Sequence, residues 1–138
     1  HSPALLPETY CPDVHERLVL YKRLAVCETQ QQLNEIHEEL VDRFGLPETP
    51  TQTLLASHKI RLMARELRID SVDANMNSIS LTFNPNTPIE PAKLISLMQK
   101  EKNWKMSGAD KLRIDVKSET IDERINMIFN VFKKIQAA

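Results

Sequence analysis

The sequence predicts an α+β fold: an N-terminal segment of about three helices, then a small, mainly antiparallel sheet packed with two further helices. Two changes along the chain carry this reading. Apolar residues recur every three to four positions as far as residue 68, the spacing of helices with one buried stripe. From residue 78 the period drops to two in Ser78-Ile79-Ser80-Leu81-Thr82-Phe83 and again in Lys111-Leu112-Arg113-Ile114-Asp115-Val116. Polar alternates in both runs mean one covered face and one wetter face, which favours antiparallel pairing.

Pro3, Pro7 and Pro12 are expected to keep the first dozen residues extended, with Ala4-Leu5-Leu6 lying along a neighbouring surface. Asp13 then caps a helix running to about Cys27, with Glu16 in the third position of a capping box. Val14, Leu18, Tyr21, Leu24 and Ala25 form its expected inner stripe. The second helix follows almost at once, so the two should pair antiparallel. It opens on a Thr29/Gln32 capping box and packs through Leu33, Ile36, Leu40, Val41 and Phe44. Gly45 can take the left-handed position after the last turn, Leu46 can close the apolar contact, and Pro47 prevents continuation. Thr49, Pro50 and Gln52 start a third helix reaching about Arg68, buried through Leu55, Ile60, Leu62, Met63 and Leu67.

A short strand at Ile69 to Ala74 turns through Asn75-Met76-Asn77 into the next. Ser107-Gly108-Ala109-Asp110 connects Trp104-Lys105-Met106 to the strand at Leu112. Between these hairpins Glu90-Pro91 opens a short helix with Leu94, Ile95, Leu97 and Met98 inward. A Thr120/Glu123 capping box begins the last helix, which runs to about Gln136 with Ile121, Ile125, Ile128, Phe132 and Ile135 on one face.

At 138 residues this is the size of one domain, able to bury about two-thirds of its unfolded surface without staples. The expected organisation is a lead-in over residues 1–3, foreign to the domain, and one globular regulatory domain over 4–138, cut from a longer protein. A net charge of −1 argues against a dedicated nucleic-acid module. No apolar run approaches the roughly 18 residues of a membrane span, and no signal-peptide pattern is present, so the cytoplasm is the expected compartment, with no membrane partner. Cys11 and Cys27 are expected as free, partly buried thiols.

Chemistry-bearing motifs are missing. With Gly45 and Gly108 as its only glycines, the chain cannot build a glycine cradle for phosphate. No GxSxG elbow or HExxH helix occurs. Cys11 and His15 are four apart, but Pro12 interrupts the helix and no second ligand pair follows. Glu38 and Glu39 are adjacent and diverge by about 100° on a helix, so they cannot share one substrate as acid and base. No catalytic residue, metal or cofactor is expected.

Charge is distributed unevenly. Glu28 to Glu48 holds six acidic residues and one basic one; Lys93 to Arg113 holds six basic and two acidic. Opposed patches suit a docking protein, although both could be merely solvated surface. On the second helix Glu35, Glu38, Glu39 and Asp42 form an acidic ridge outside the apolar stripe. The basic run offers Lys100, Lys102 and Lys105 as an alternative nucleic-acid contact, with Trp104 read as core-facing rather than as a base-stacking platform.

The blocks PALLPETYCPDVHERLVLYKRLA, LNEIHEELVDRFGLP and TLLASHKIRLMARELRI resemble the C-terminal domain of bacterial transcription-repair coupling factors, the Mfd family. The resemblance runs from Pro3 to about Ile135 and is most specific over residues 4–23 and 39–47. It implies a parent that is an ATP-driven DNA translocase, one that removes stalled RNA polymerase from lesions and recruits the repair protein UvrA. It further implies that this domain carries no motor motif. Instead it would pack on a UvrB-like N-terminal module, hide the surface UvrA would bind, and restrain the motor. The acidic pair that faces this module in the family falls on Glu39 and Asp42, three apart and therefore on one helix face.

Overall fold

The computed structural model describes residues 5–137, so the lead-in expected over residues 1–3, with Pro3, and Ala4 lie outside the described residues. Five helices and four strands follow in the order α1 (Val14–Val26), α2 (Gln30–Phe44), α3 (Thr49–Glu66), β1 (Ile69–Ala74), β2 (Ser78–Phe83), α4 (Pro91–Lys100), β3 (Trp104–Met106), β4 (Lys111–Asp115) and α5 (Ile121–Ala137). This is the α+β architecture expected. The chain divides into two compact units, one ending at Leu62 and the other starting at Met63, with α3 running across the division.

The first unit is a helical cluster. Asp13 caps α1 by accepting the backbone N–H groups of His15 and Glu16. Thr29 accepts the N–H of Gln32, whose amide oxygen accepts the Thr29 N–H in return, closing the capping box on α2. The core gathers Leu20, Leu24 and Cys27 against Leu33, Ile36 and Leu40, with Leu54, Leu55 and Leu62 from α3. The expected inner face of α1 is corrected here. Leu24 is buried and Tyr21 packs against the core as expected, but Leu20 joins them, whereas Val14, Leu18 and Ala25 are exposed. Apolar residues occur on nearly every side of α1, so periodicity alone could not say which stripe meets α2 and α3.

Residues 5–12 are also less extended than expected: a turn brings the Tyr10 and Cys11 N–H groups onto the Pro7 carbonyl. Leu6 does lie along the surface, fully buried, its N–H donating to the Tyr21 hydroxyl at 2.7 Å. After α2, Gly45 has φ +87° and its N–H returns to the Val41 carbonyl. Leu46 is 83 % exposed and makes no closing contact; Pro47 is buried instead.

The second unit holds one antiparallel sheet in the order β1-β2-β4-β3. Register places Ile79 opposite Ile114, Leu81 opposite Leu112, and Trp104 opposite Ile114, so one face is apolar throughout. The other face pairs Ser80 with Arg113, Thr82 with Lys111 and Lys105 with Arg113. β4 lies between β2 and β3, so the β2-α4-β3 connection is a split β-α-β crossover. The last helix buries Ile128, Val131, Phe132 and Ile135. Its capping box is displaced by one residue: Thr120 accepts the Glu123 N–H, but the Glu123 carboxylate takes the N–H of Glu119. On α4, Leu94 and Leu97 are buried as expected, while Ile95 faces outward.

Candidate functional site

The charged features concentrate along α2 and the side of α1 beside it. At 100° per residue, Glu35, Glu38, Glu39 and Asp42 fall within about 100° of arc, opposite the arc holding Leu33, Ile36 and Leu40. The sequence-predicted ridge is therefore assembled on one helix face. It is not uniform. Glu39 lies on the shoulder nearest α1 and is half-buried, whereas Glu35, Glu38 and Asp42 are exposed.

Glu39 is the most constrained of the four. The Arg23 guanidinium donates to both of its oxygens, Nη1 to Oε2 at 2.8 Å and Nη2 to Oε1 at 2.9 Å. Arg43, one turn further along α2, donates to the same Oε2 at 3.1 Å. Its other nitrogen reaches Glu16 Oε2 at 2.7 Å, and its guanidinium lies 4.8 Å from the centre of the Phe44 ring. Hydrogen bonding from Arg23, reinforced by Arg43, holds the Glu39 carboxyl at about 2. The Glu39 pair raises Arg23 in turn. These crossed contacts, 16 with 43 and 23 with 39, run antiparallel and pin α1 to α2.

Arg23 was not singled out by sequence reasoning, and Glu16 was read only as a capping-box residue of α1, whereas its carboxylate takes Arg43. Arg23 is sixteen residues from Glu39, and only the antiparallel pairing of the two helices brings them together. The pairing was expected; combining it with the count of turns from each cap would have found the contact. Among the described residues, no cation pairs with Glu35, Glu38 or Asp42.

Other groups in this unit serve structure. Arg61 of α3 donates to the carbonyls of Leu24 and Cys27, capping the end of α1 with a positive charge. Tyr10 donates to the carbonyls of Leu40 and Gly45, securing the end of α2. Cys11 and Cys27 are free and buried, and burial pushes both thiols up. A recess of about 280 Å³ beside the network is lined by Arg23, Val26, Cys27, Gln32, Glu35 and Ile36. Its one thiol is shifted away from the thiolate a nucleophile needs. Among the described residues, no cluster of three metal-ligating side chains occurs.

The lysines of the alternative nucleic-acid contact are placed on separate segments. Lys100 ends α4, Lys102 sits in the turn after it, and Lys105 lies on β3. Lys105 Nζ is 3.9 Å from Asp115, which also takes Arg113 at 2.8 Å. Trp104 is buried, as read from the sequence, and offers no ring face to a base.

Five helices and one four-stranded antiparallel sheet define an α+β domain. A family model for the TRCF domain matches residues 1–94. The chain belongs to the transcription-repair coupling factor family. It is 38% identical over 112 residues to the transcription-repair-coupling factor of Escherichia coli (strain K12), a match spanning 80% of this chain and 10% of that protein. With the Haemophilus influenzae transcription-repair-coupling factor it shares 40% identity over 99 residues, 72% of this chain and 9% of that one. The chain thus spans about a tenth of the length of these relatives. The fold is that of a crystal structure of the C-terminal domain of a transcription-repair coupling factor, with a TM-score of 0.76 at 22% identity, covering 97% of this chain and 87% of the other.

Proposed function

We propose that this chain is a non-catalytic regulatory domain, acting as one module from residue 4 onward in a cytoplasmic transcription-repair coupling factor. It docks through the α2 ridge on the UvrB-like N-terminal module of its parent. Docking masks the surface that UvrA binds and restrains the ATP-driven DNA translocase until RNA polymerase is engaged. Contacts with UvrA, polymerase and DNA are then made through the parent, not by this domain directly.

The observation that carries the reading is the division of labour along α2. Glu39 is neutralised inside the domain by two arginines, which fixes the helix. Glu35, Glu38 and Asp42 stand three and four residues apart on the exposed arc with no counterion among the described residues. Like charges at these spacings cost about 0.2–0.5 kcal/mol per pair on a helix, a cost that cations on a partner would relieve. Because the contact is intramolecular in the parent, modest charge pairs suffice to keep it mostly closed and leave it reversible by a competing partner.

The test is charge reversal at the free edge. Asp42→Arg in the full-length parent should raise both UvrA binding and basal ATPase. An unchanged value for both would remove the ridge from the interface. Asp42 is preferable to Glu39 for this purpose, because reversing Glu39 would also break the Arg23 contact and mix docking with folding.

A further inference from the structure

The second unit carries a groove of about 460 Å³ that the docking ridge does not use. Its floor is Phe83 at the end of β2; its walls are α4, through Leu94, Ile95 and Met98, and the β3–β4 hairpin, through Met106. Ile95 is 52 % exposed and Met106 is 38 % exposed, so large apolar side chains stand at an opening where water must be organised around them. The volume lies within the range of about 300–1,000 Å³ typical of ligand pockets, and two methionines let the walls adjust to an occupant.

The electrostatics of the groove are not those of the basic run it sits in. Asp110, in the hairpin turn, is the only charged residue lining it among the described residues. Its backbone carbonyl accepts the Phe83 N–H at 2.8 Å, which fixes the turn against the end of β2. Its carboxylate has no hydrogen bond or ion pair among the described residues. The nearby lysines point elsewhere. Lys93 and Lys100 each lie two residues from a groove-lining position of α4, Ile95 and Met98, and so about 200° around the helix. Lys105 and Lys111 are cross-strand partners of Arg113 and Thr82 on the polar face of the sheet, opposite the face that holds Met106 and Leu112.

We infer that this groove is a second docking site, for a short peptide segment of a partner protein that presents a large apolar side chain next to a lysine or arginine. The apolar side chain fills the space between α4 and the hairpin, and the cation pairs with Asp110 at its mouth. The sign of Asp110 decides between occupants: an acidic peptide or a nucleic-acid phosphate would meet an unpaired carboxylate over an apolar floor. The groove shares no residue with the α2 ridge.

The experiment is a titration of the ¹⁵N-labelled full chain followed by amide chemical shifts, with acetyl-Phe-Lys-Leu-amide and acetyl-Phe-Glu-Leu-amide as probes and a short oligothymidylate as a third arm. The lysine peptide should shift amides within residues 83–98 and 106–110 in a saturable manner. It should bind about two- to five-fold more tightly than the glutamate peptide, the range of one exposed ion pair. Asp110→Asn should erase that preference while preserving the spectrum, because the backbone bond to Phe83 survives the change. Ile95→Glu, at an exposed position, should weaken both peptides. Equal binding of the two peptides, shifts that map to α1 or α2, no saturable shift, or stronger perturbation by the oligonucleotide would each overturn the proposal.

Discussion

Replacing Glu39 with Gln isolates the clasp between α1 and α2, and its cost can be worked from the structure. The carboxyl is held at about 2 against an ordinary 4.5. Taken at face value this is an upper bound of about 3.4 kcal/mol, from 1.36 kcal/mol per unit. Glu39 is 35% exposed and Arg23 40%. Solvent therefore screens most of the difference, and the expected loss is about 1 kcal/mol, the upper end for exposed pairs, because the contact is bidentate. Arg23 is left half-exposed and hydrated, so no buried unpaired charge adds to it.

The pH dependence has a defined sign. A depressed carboxyl stabilises the fold above its unfolded value near 4.5 and loses that contribution as pH falls toward 2. The gap between the wild-type protein and Glu39→Gln should therefore be full at pH 7, shrink as pH falls below about 4.5, and nearly vanish by pH 2. Urea unfolding followed by circular dichroism at these pH values, at low and high salt, would measure it. A gap at pH 7 below about 0.3 kcal/mol, or one that does not change between pH 7 and pH 3, would refute the clasp as a stabilising element.

Further outcomes follow from other parts of the chain. Gly45→Ala should cost about 1 kcal/mol by urea unfolding: the position has φ +87° and nothing lies within 4 Å of an added Cβ, so the cost comes from backbone strain, not a clash. Phe132→Ala in α5, a fully buried site, should lose about 3–5 kcal/mol and broaden the amide signals of the second unit. Thr29→Ala should cost about 1 kcal/mol by removing one half of the capping box. The thiols of Cys11 and Cys27 should react with a disulfide reagent at pH 7.5 only as fast as the first unit opens, since both are buried and shifted upward.

What was legible in the sequence was mostly local. The capping residues Asp13 and Thr29, the Asn75-Met76-Asn77 turn and the strand over residues 78–83 each act within a few positions of themselves and formed as read, although the Glu16 carboxylate takes Arg43 and does not close a box on Asp13. Strand partners across long separations were less accessible. The pairing of β2 with β4 joins residues separated by the whole of α4 and β3, and no turn signal connects them. The inner face of α1 was legible only in part: Leu24 and Tyr21 lie inward as read, but Val14, Leu18 and Ala25 continue an equally regular apolar stripe onto the exposed side, and Leu20 lies on the buried one. Ile95 failed similarly: an apolar residue at the border of a helix stripe can face a groove as easily as a core. For the ridge, the sequence placed Glu35, Glu38, Glu39 and Asp42 together, but an ion pair with Arg23 depends on helix packing and separates Glu39 from the other three.

The most direct measurement is calorimetric titration of this chain onto a parent protein from which it has been deleted, at low and at high salt. The account predicts saturable binding at low salt that weakens several-fold as salt screens the ridge, and a comparable loss when Glu38 and Asp42 are both changed to Arg. No detectable binding at low salt, or binding indifferent to both salt and the double reversal, would contradict it.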